Sequence, residues 1–427
     1  MKIAFISQPW NNCPPVKTGS VSVWIYEVAR RVAKAHEVVV YACNNKVQKK
    51  EEYDEHERIH YRRVSISPDK LFLKYLKRFP MLNKNHTKPL FASQLYYLGF
   101  IAKIANDLRK QKCDIVHIQN FSQFVPIIKA LNPGIKIVLH MHCDWLVQLD
   151  RFMIENRLRQ VDLIMGCSEY VTRKIRTCFP QFAGRCQTIY NGVDIDHFIP
   201  GDESALKEKN GTKRLLFVGR ITPEKGIHVL LEAFQIIVKH YPQTSIEIIG
   251  PDDKTPREFI VDLHDNTSVT NLKLFYTENY LSQLRTMLPP KLTDHVTFSG
   301  HIQQEYLQSK YSSASILVNP SLSESFGMSL IEAMATKIPV VATRVGGMTE
   351  VVEEDKTGIL VEPGNVSALA EAILRLLSDE DERRSMGDAG RKRAVDMFSW
   401  DRISEKLLYY YENTYGNSYG NNRNIYA

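Results

Sequence analysis

The sequence predicts an α/β protein of two Rossmann-like, doubly wound domains, and three observations carry that prediction. A strand, loop, helix and strand open the chain at Lys2, and a similar succession restarts at Lys213. After the second start, strands and helices alternate regularly, as in a parallel sheet covered by helices. With 427 residues, 44% apolar and 24% charged, the chain is too long for one compact core yet ordinary enough to be globular.

The elements follow in order. Residues 2–7 read as an apolar strand, followed by a loop with Pro14, Pro15 and Gly19, a helix over about 21–35 and a second strand over 37–42. A late strand of the first domain falls in 161–168. The stretch 188–204 reads as the crossing into the second domain, with turns at Asn191-Gly192 and Pro200-Gly201. The second domain then runs as strand 214–220, loop 221–226, helix 227–241 and strand 244–250. Residues 252–292 are expected to form an elaborated polar loop with helical pieces. Beyond it come strand 296–300, a helix from Gln304, strand 315–321, loop 322–327, helix 328–335, strand 339–343 and a polar loop from Gly346. Past Phe398, Trp400, Ile403, Leu407 and Tyr411 recur at helical spacing and make one apolar stripe that needs a surface to cover. The expected organisation is a first domain over 1–194, a second over 195–397, a closing helix over 398–415 and a flexible tail over 416–427.

Composition narrows the function classes. No run of about 18 apolar residues occurs and the first residues lack the regions of a signal peptide, so a cytoplasmic protein is expected. Seven cysteines, at 13, 43, 113, 143, 167, 178 and 186, form no CxxC pair and speak against zinc sites and disulfides. Cys143 beside His142 is open to a nucleophilic reading, though buried inert cysteine is the commoner case. Residues 1–200 hold 30 Lys and Arg against 17 Asp and Glu, whereas the remainder holds 25 against 31. A basic first half suits an anionic partner such as a phosphorylated acceptor or a lipid surface, or only solvation. The segment from Lys70 to Phe79 interleaves cations with Leu71, Phe72, Leu73, Tyr75 and Leu76, as a helix on an anionic membrane would; an ordinary surface helix is the alternative. No RNA-binding or helix-turn-helix signature is present, and nucleic acid is not an expected partner.

Three places carry residues suited to chemistry. The loop 219–226, GRITPEKG, joins a strand to a helix at the carboxyl edge of a sheet, where Arg220 and Lys225 suit a diphosphate. The loop and helix start 324–332, ESFGMSLIE, sets Glu324 before the helix and Glu332 inside it. Its amides near Ser325, Phe326, Gly327, Met328 and Ser329 suit phosphate, unless Glu324 only caps the helix and Glu332 only faces water. In 135–145, His140 and His142 share one strand face, with His142 nearer the carboxyl end; packing histidines are the alternative. The first loop lacks GxGxxG, offering only Gly19 for close backbone approach, and no Walker loop, HExxH or GxSxG occurs.

Taken together, the segments 14–30, 191–194, 219–226, 324–335 and 339–347 resemble the retaining glycosyltransferase family 4, of GT-B fold. The resemblance spans nearly the whole chain and is most specific in the second domain. It implies two Rossmann-like domains facing each other across a cleft, with the closing helix crossing back to the first. Arg220 and Lys225 would then hold the diphosphate of a sugar nucleotide, the 325–329 helix start would also touch phosphate, and Glu332 would bind the ribose. Glu324, the first carboxylate of the EX7E motif, would contact the transferred sugar, and His142 would contact it from the first domain. Base selection is placed around His301 and Ile302. The family often has Gly-Gly in the first loop, where this chain has Gly19-Ser20.

The implied function is retaining transfer of a hexose or N-acetylhexosamine, most simply from a UDP-sugar, to an acceptor hydroxyl, without bound metal or other cofactor. Alternatives are a sugar-phosphate synthase, an inverting transferase or an epimerase of the same fold, and a non-catalytic structural protein such as a surface-coat component.

Overall fold

The computed structural model describes residues 1–15, 19–45, 47–78, 87–201, 213–252, 256–264 and 266–416. The chain divides into two compact units, Met1–Tyr190 with the segment from Trp400, and Asn191–Ser399. The divisions thus fall at Tyr190/Asn191 and Ser399/Trp400, where 194/195 and 397/398 were expected. Val193 and Ser399 form a β-bridge that fastens the two crossing stretches together, so residues just past Tyr190 go with the second unit. The expected tail lies outside the described residues apart from its first residue.

In the first unit, β1 (Lys2–Ile6), β2 (Glu37–Cys43), β3 (Glu51–Asp54), β4 (Ile59–Val64), β5 (Ile115–Gln119), β6 (Lys136–Met141), β7 (Leu163–Gly166) and β8 (Cys186–Thr188) form one sheet. Its order is β3-β4-β2-β1-β5-β6-β7-β8, and only the β3–β4 pair is antiparallel. Strands β1, β5 and β6 are buried almost throughout, as a sheet covered on both faces requires. The helix Trp400–Gly416 packs on the helix Ser20–Val32, burying Ile403, Leu407 and Tyr411. Each such side chain contributes about 1.5–3 kcal/mol of apolar burial. Polar contacts fix its position: Arg31 donates to Asp401 at 2.6 Å and Tyr415 donates to Asp114 at 3.2 Å. The helix Ser67–Leu76 buries Leu73 but leaves Leu71 and Tyr75 mostly exposed. Phe79, the end of the cationic segment, lies outside the described residues.

In the second unit, β9 (Arg214–Val218), β10 (Ser245–Ile249), β11 (Val296–Gly300), β12 (Ile316–Asn319), β13 (Val340–Thr343) and β14 (Gly358–Val361) make an all-parallel sheet. The order β11-β10-β9-β12-β13-β14 is the doubly wound order in which strand succession reverses between the first and fourth strands, here β9 and β12. Residues 252–292 supply short helical turns, among them Thr267–Thr270 and Tyr280–Thr286. Val261, Val269 and Leu272 from this insertion pack with Leu322 in a small apolar cluster of their own. No helix among the described residues is long and apolar enough to cross a membrane.

Candidate active site

Loops leaving the carboxyl ends of β9 and β12 flank the point where strand order reverses, the place where sheets of this kind take their ligands. The two loops touch backbone to backbone. Gly226 stands at φ +66°, and a Cβ there would come within 2.1 Å of the Pro320 carbonyl oxygen, so only glycine fits. The amide of Leu322 donates to the Glu224 carbonyl at 2.8 Å, a second tie between the loops.

This close approach brings Lys225 and Glu324 together. Lys225 Nζ donates to Glu324 Oε2 at 2.6 Å, with the two side chains 15% and 18% exposed. Burial alone would raise the Glu324 pKa; the Lys225 ammonium, as charge and as donor, together with the Phe326 amide and Arg220, holds it below the ordinary carboxylate range instead. Glu324 is therefore an anion matched to a cation. Its Oε1 accepts from the amides of Ser325 at 3.1 Å and Phe326 at 3.4 Å, so it does brace the helix entry as well. Arg220 lies 3.6 Å from the buried Glu224 carboxylate, whose same oxygen accepts from Thr222 Oγ1 at 2.7 Å. The Arg220 side chain remains 43% exposed, within reach of an anion from solvent.

Phe326 is buried, and Gly327, at φ +100°, turns the chain into the helix Met328–Ala335. Its N-cap, Gly327, has no side chain with which to cap that helix, whose first amides, at Met328 and Ser329, form its positive end. Ser329 Oγ accepts from Asn319 Nδ2 at 3.4 Å. Glu332 does not simply face water: Tyr311, from the helix Gln304–Ser312, donates its hydroxyl to Glu332 Oε2 at 2.5 Å. Burial, opposed by this bond, pushes the Glu332 pKa up to about 7. Ile302 is half-buried in the short connection between β11 and the helix Gln304–Ser312.

In the first unit, His142 follows β6 directly. Its Nε2 lies 2.7 Å from Gln119 Oε1 and its amide donates to Asn120 Oδ1 at 2.7 Å. Both partners come from the end of β5, the next strand, where Asn120 takes a left-handed φ of +63°. His140, on the same strand face, is fully buried with its ring 4.2 Å from that of His142 and 4.7 Å from Trp24. His140 is thus a packing residue. Burial pushes the Cys143 thiol up to about 12, the direction opposite to that of a nucleophile. Gly19 has an extended φ of −157°, and among the described residues a Cβ there would meet only Ser22 Oγ, at 3.8 Å. Backbone conformation does not demand glycine at this position.

The structure brings Lys225, Glu324 and Arg220 into one neighbourhood of the second unit, with the 325–329 turn beside them, and sets Glu332 further along the same helix. Sequence reasoning missed Tyr311, Glu224, Gln119 and Asn120. Only Gln119-Asn120, polar residues at the carboxyl end of an apolar strand, carried a signal that position alone would have flagged.

Known proteins place this architecture in a family. The profile of the glycosyl transferases group 1 matches residues 200–393, and that of Glycosyltransferase Family 4 matches residues 21–197. Spore coat protein SA of Bacillus subtilis is 26% identical over 427 residues, covering 96% of this chain and 99% of that protein. D-inositol 3-phosphate glycosyltransferase of Corynebacterium urealyticum is 32% identical over 266 residues, 58% of this chain and 56% of that one. Among solved structures, sucrose-phosphate synthase from Thermosynechococcus elongatus superimposes with a TM-score of 0.73 at 23% identity, over 97% of this chain and 99% of that chain. HepE of Anabaena, in complex with UDP and glucose, gives a TM-score of 0.67 at 20% identity, over 96% and 99%. With one profile over each unit and the same fold found along nearly the whole chain, the protein belongs to the group 1, family 4 glycosyltransferases of GT-B fold.

Proposed function

We propose that the protein is a retaining glycosyltransferase that moves a hexose or N-acetylhexosamine from a nucleotide-diphosphate sugar, with UDP the favoured nucleotide, to an acceptor hydroxyl. The observation that carries this reading is the Lys225–Glu324 pair, set by two loops at the strand-order reversal of the second sheet. A buried carboxylate kept charged beside a lysine suits a site where a diphosphate and a polyhydroxylated sugar lie side by side. UDP is favoured because HepE was solved with UDP-glucose, and transfer to a hydroxyl because relatives carry names such as D-inositol 3-phosphate glycosyltransferase.

In this reading Lys225 and Arg220 stabilise the charge that develops on the leaving diphosphate, a task metals perform elsewhere, and the amides of 325–329 add to it. The acceptor oxygen attacks the face from which the diphosphate departs, and a phosphate oxygen takes its proton. Glu324 accepts from hydroxyls of the transferred sugar. Glu332 accepts from the ribose through the oxygen that Tyr311 leaves open, and Ile302 packs near the base. His142, its ring fixed by Gln119, orients the sugar, and Gly19 offers its backbone to the donor. The protein would work in the cytoplasm. Peripheral contact with an anionic membrane would run through the helix Ser67–Leu76, whose exposed Leu71 and Tyr75 alternate with Lys70 and Lys74. Absence of binding to anionic vesicles at low salt would remove that last element.

The first test is thermal melting with UDP, GDP, ADP and their sugar conjugates in EDTA, since a ligand of the folded state raises the melting temperature with the logarithm of its saturation. A shift with one nucleotide family supports the reading and names the base. A flat response to every nucleotide overturns it and favours the second reading, a non-catalytic coat component, which the likeness to spore coat protein SA along nearly the whole chain supports. With an acceptor in hand, the anomeric configuration of the product separates retention from inversion.

A further inference from the structure

The first unit carries a groove of about 720 Å³ lined by residues to which the proposed chemistry gives no role. Leu90 and Leu95 line it together with Phe152 and Met153, from the helix Arg151–Leu158. Phe152 is 72% exposed, a large aromatic ring held in water beside an apolar wall. Two cations also line the groove, and they differ. Lys88 is paired with Asp150 at 3.3 Å. Arg157 is only 4% exposed, and among the described residues it has no carboxylate within ion-pair distance.

The Arg157 guanidinium donates to two neutral acceptors, Ser122 Oγ at 3.2 Å and the Ala92 carbonyl at 2.6 Å. A guanidinium has five N–H donors, so these bonds leave others in hand. Burial lowers its pKa to about 10, which still leaves it a cation at neutral pH. A buried charge is ordinarily paired, and leaving one without a counter-ion is costly. Apolar walls with one uncompensated buried cation call for a ligand that is mostly hydrocarbon and ends in an anion. Guanidinium matches phosphate oxygens two at a time, whereas the charge of Lys88 is already met by Asp150.

We propose that this groove binds a single-chain amphiphile with a phosphate head, the chain lying along Leu90, Leu95 and Phe152 and the phosphate meeting Arg157. As the seat for the carrier of a lipid-linked acceptor it rests on the transferase reading; as a binding site it does not, and it can be tested without donor or turnover.

The probes are decyl phosphate and decanol, titrated below their aggregation limits and followed by calorimetry on the full chain. Decyl phosphate is expected to bind at least tenfold more tightly than decanol. Arg157→Met should erase that preference, and Phe152→Asp, at an exposed position that leaves the fold intact, should weaken both probes about tenfold. Should Arg157→Met fail to fold, the wild-type comparison and Phe152→Asp still decide. Equal affinity of the wild type for both probes, no binding of either, or unchanged binding by Phe152→Asp overturns the proposal. So does a dimer that Phe152→Asp dissociates while neither probe binds, because the face would then belong to self-association. A nucleotide shift on melting with no decyl phosphate binding sinks the groove and leaves the transferase reading standing; the reverse pattern does the opposite.

Discussion

Replacing Lys225 with Ala removes a donor from the proposed phosphate site and strips Glu324 of its partner in the same stroke. The two effects have separable sizes. Losing one side of a buried ion pair costs about 3–5 kcal/mol, whereas an exposed pair contributes about 1 kcal/mol or less. At 15% and 18% exposure this pair lies nearer the buried limit, and part of the cost is relieved as Glu324 takes up a proton. A loss of about 2–3 kcal/mol is expected, which lowers the melting temperature of a unit this size by roughly 5–10 °C. Catalytically, one well-placed donor to a developing anion is worth about 100- to 1,000-fold in kcat. The paired variant Lys225→Met with Glu324→Gln leaves no buried charge, so it should recover most of the lost stability while staying as inactive as the single variant. Thermal melting and initial rates on the wild type, Lys225→Ala and the paired variant give both quantities. Turnover of Lys225→Ala within threefold of the wild type would refute the catalytic assignment. A double variant no more stable than Lys225→Ala would refute the coupling between the two side chains.

Glu332 predicts a pH effect. Its folded pKa of about 7 lies above the ordinary 4.5, so the folded chain holds the extra proton between those values, and stability should fall by about 1–3 kcal/mol as pH rises through that window. Glu332→Gln should flatten this slope in melting curves taken from pH 4.5 to 8; an unchanged slope removes Glu332 as its source. His142→Ala should lower kcat by about 100-fold through misplacement of the sugar while leaving UDP affinity measured by calorimetry intact, and an equal loss of UDP binding would contradict the role. Gly226→Ala forces a methyl group against the Pro320 carbonyl, and denaturant melts should show a loss of at least about 2 kcal/mol; a neutral outcome would mean that the two loops can part. Tyr411→Phe takes away the hydroxyl lying 2.5 Å from His117 Nδ1 in a fully buried setting, at an expected cost of about 1–3 kcal/mol by the same assay.

The two starts at Lys2 and Lys213 were legible because each is local: an apolar strand, a loop with turn residues and a helix within some forty residues. The site was legible only as loops. Glu324 and Lys225 could each be picked out by type and place, but their bond spans 99 positions, and its cause is the fit of Gly226 against Pro320, which no periodicity reports. Glu332 shows the same limit. Its helical position was readable, yet its raised pKa comes from burial, only partly offset by the hydrogen bond of Tyr311, a tyrosine with nothing in its own neighbourhood to mark it. His140 and His142 looked alike in the strand pattern, and the difference between a packed ring and one held by Gln119 appears only when β5 is laid beside β6. The crossing was placed a few residues late because the Val193–Ser399 bridge joins stretches that sequence proximity cannot connect.

The helix Trp400–Gly416 has a consequence for how the protein comes into being. A ribosome delivers the first unit's sheet early, then the whole of the second unit, and only afterwards the segment whose Ile403, Leu407 and Tyr411 fill the depression beside the helix Ser20–Val32. For all that interval the nascent first unit displays an uncovered greasy surface and a buried His117 lacking its tyrosine, while the contiguous second unit is free to mature ahead of it. Expressed separately, residues 191–399 should therefore behave as a tractable protein, and residues 1–190 as a client for chaperones until the later helix is supplied in trans.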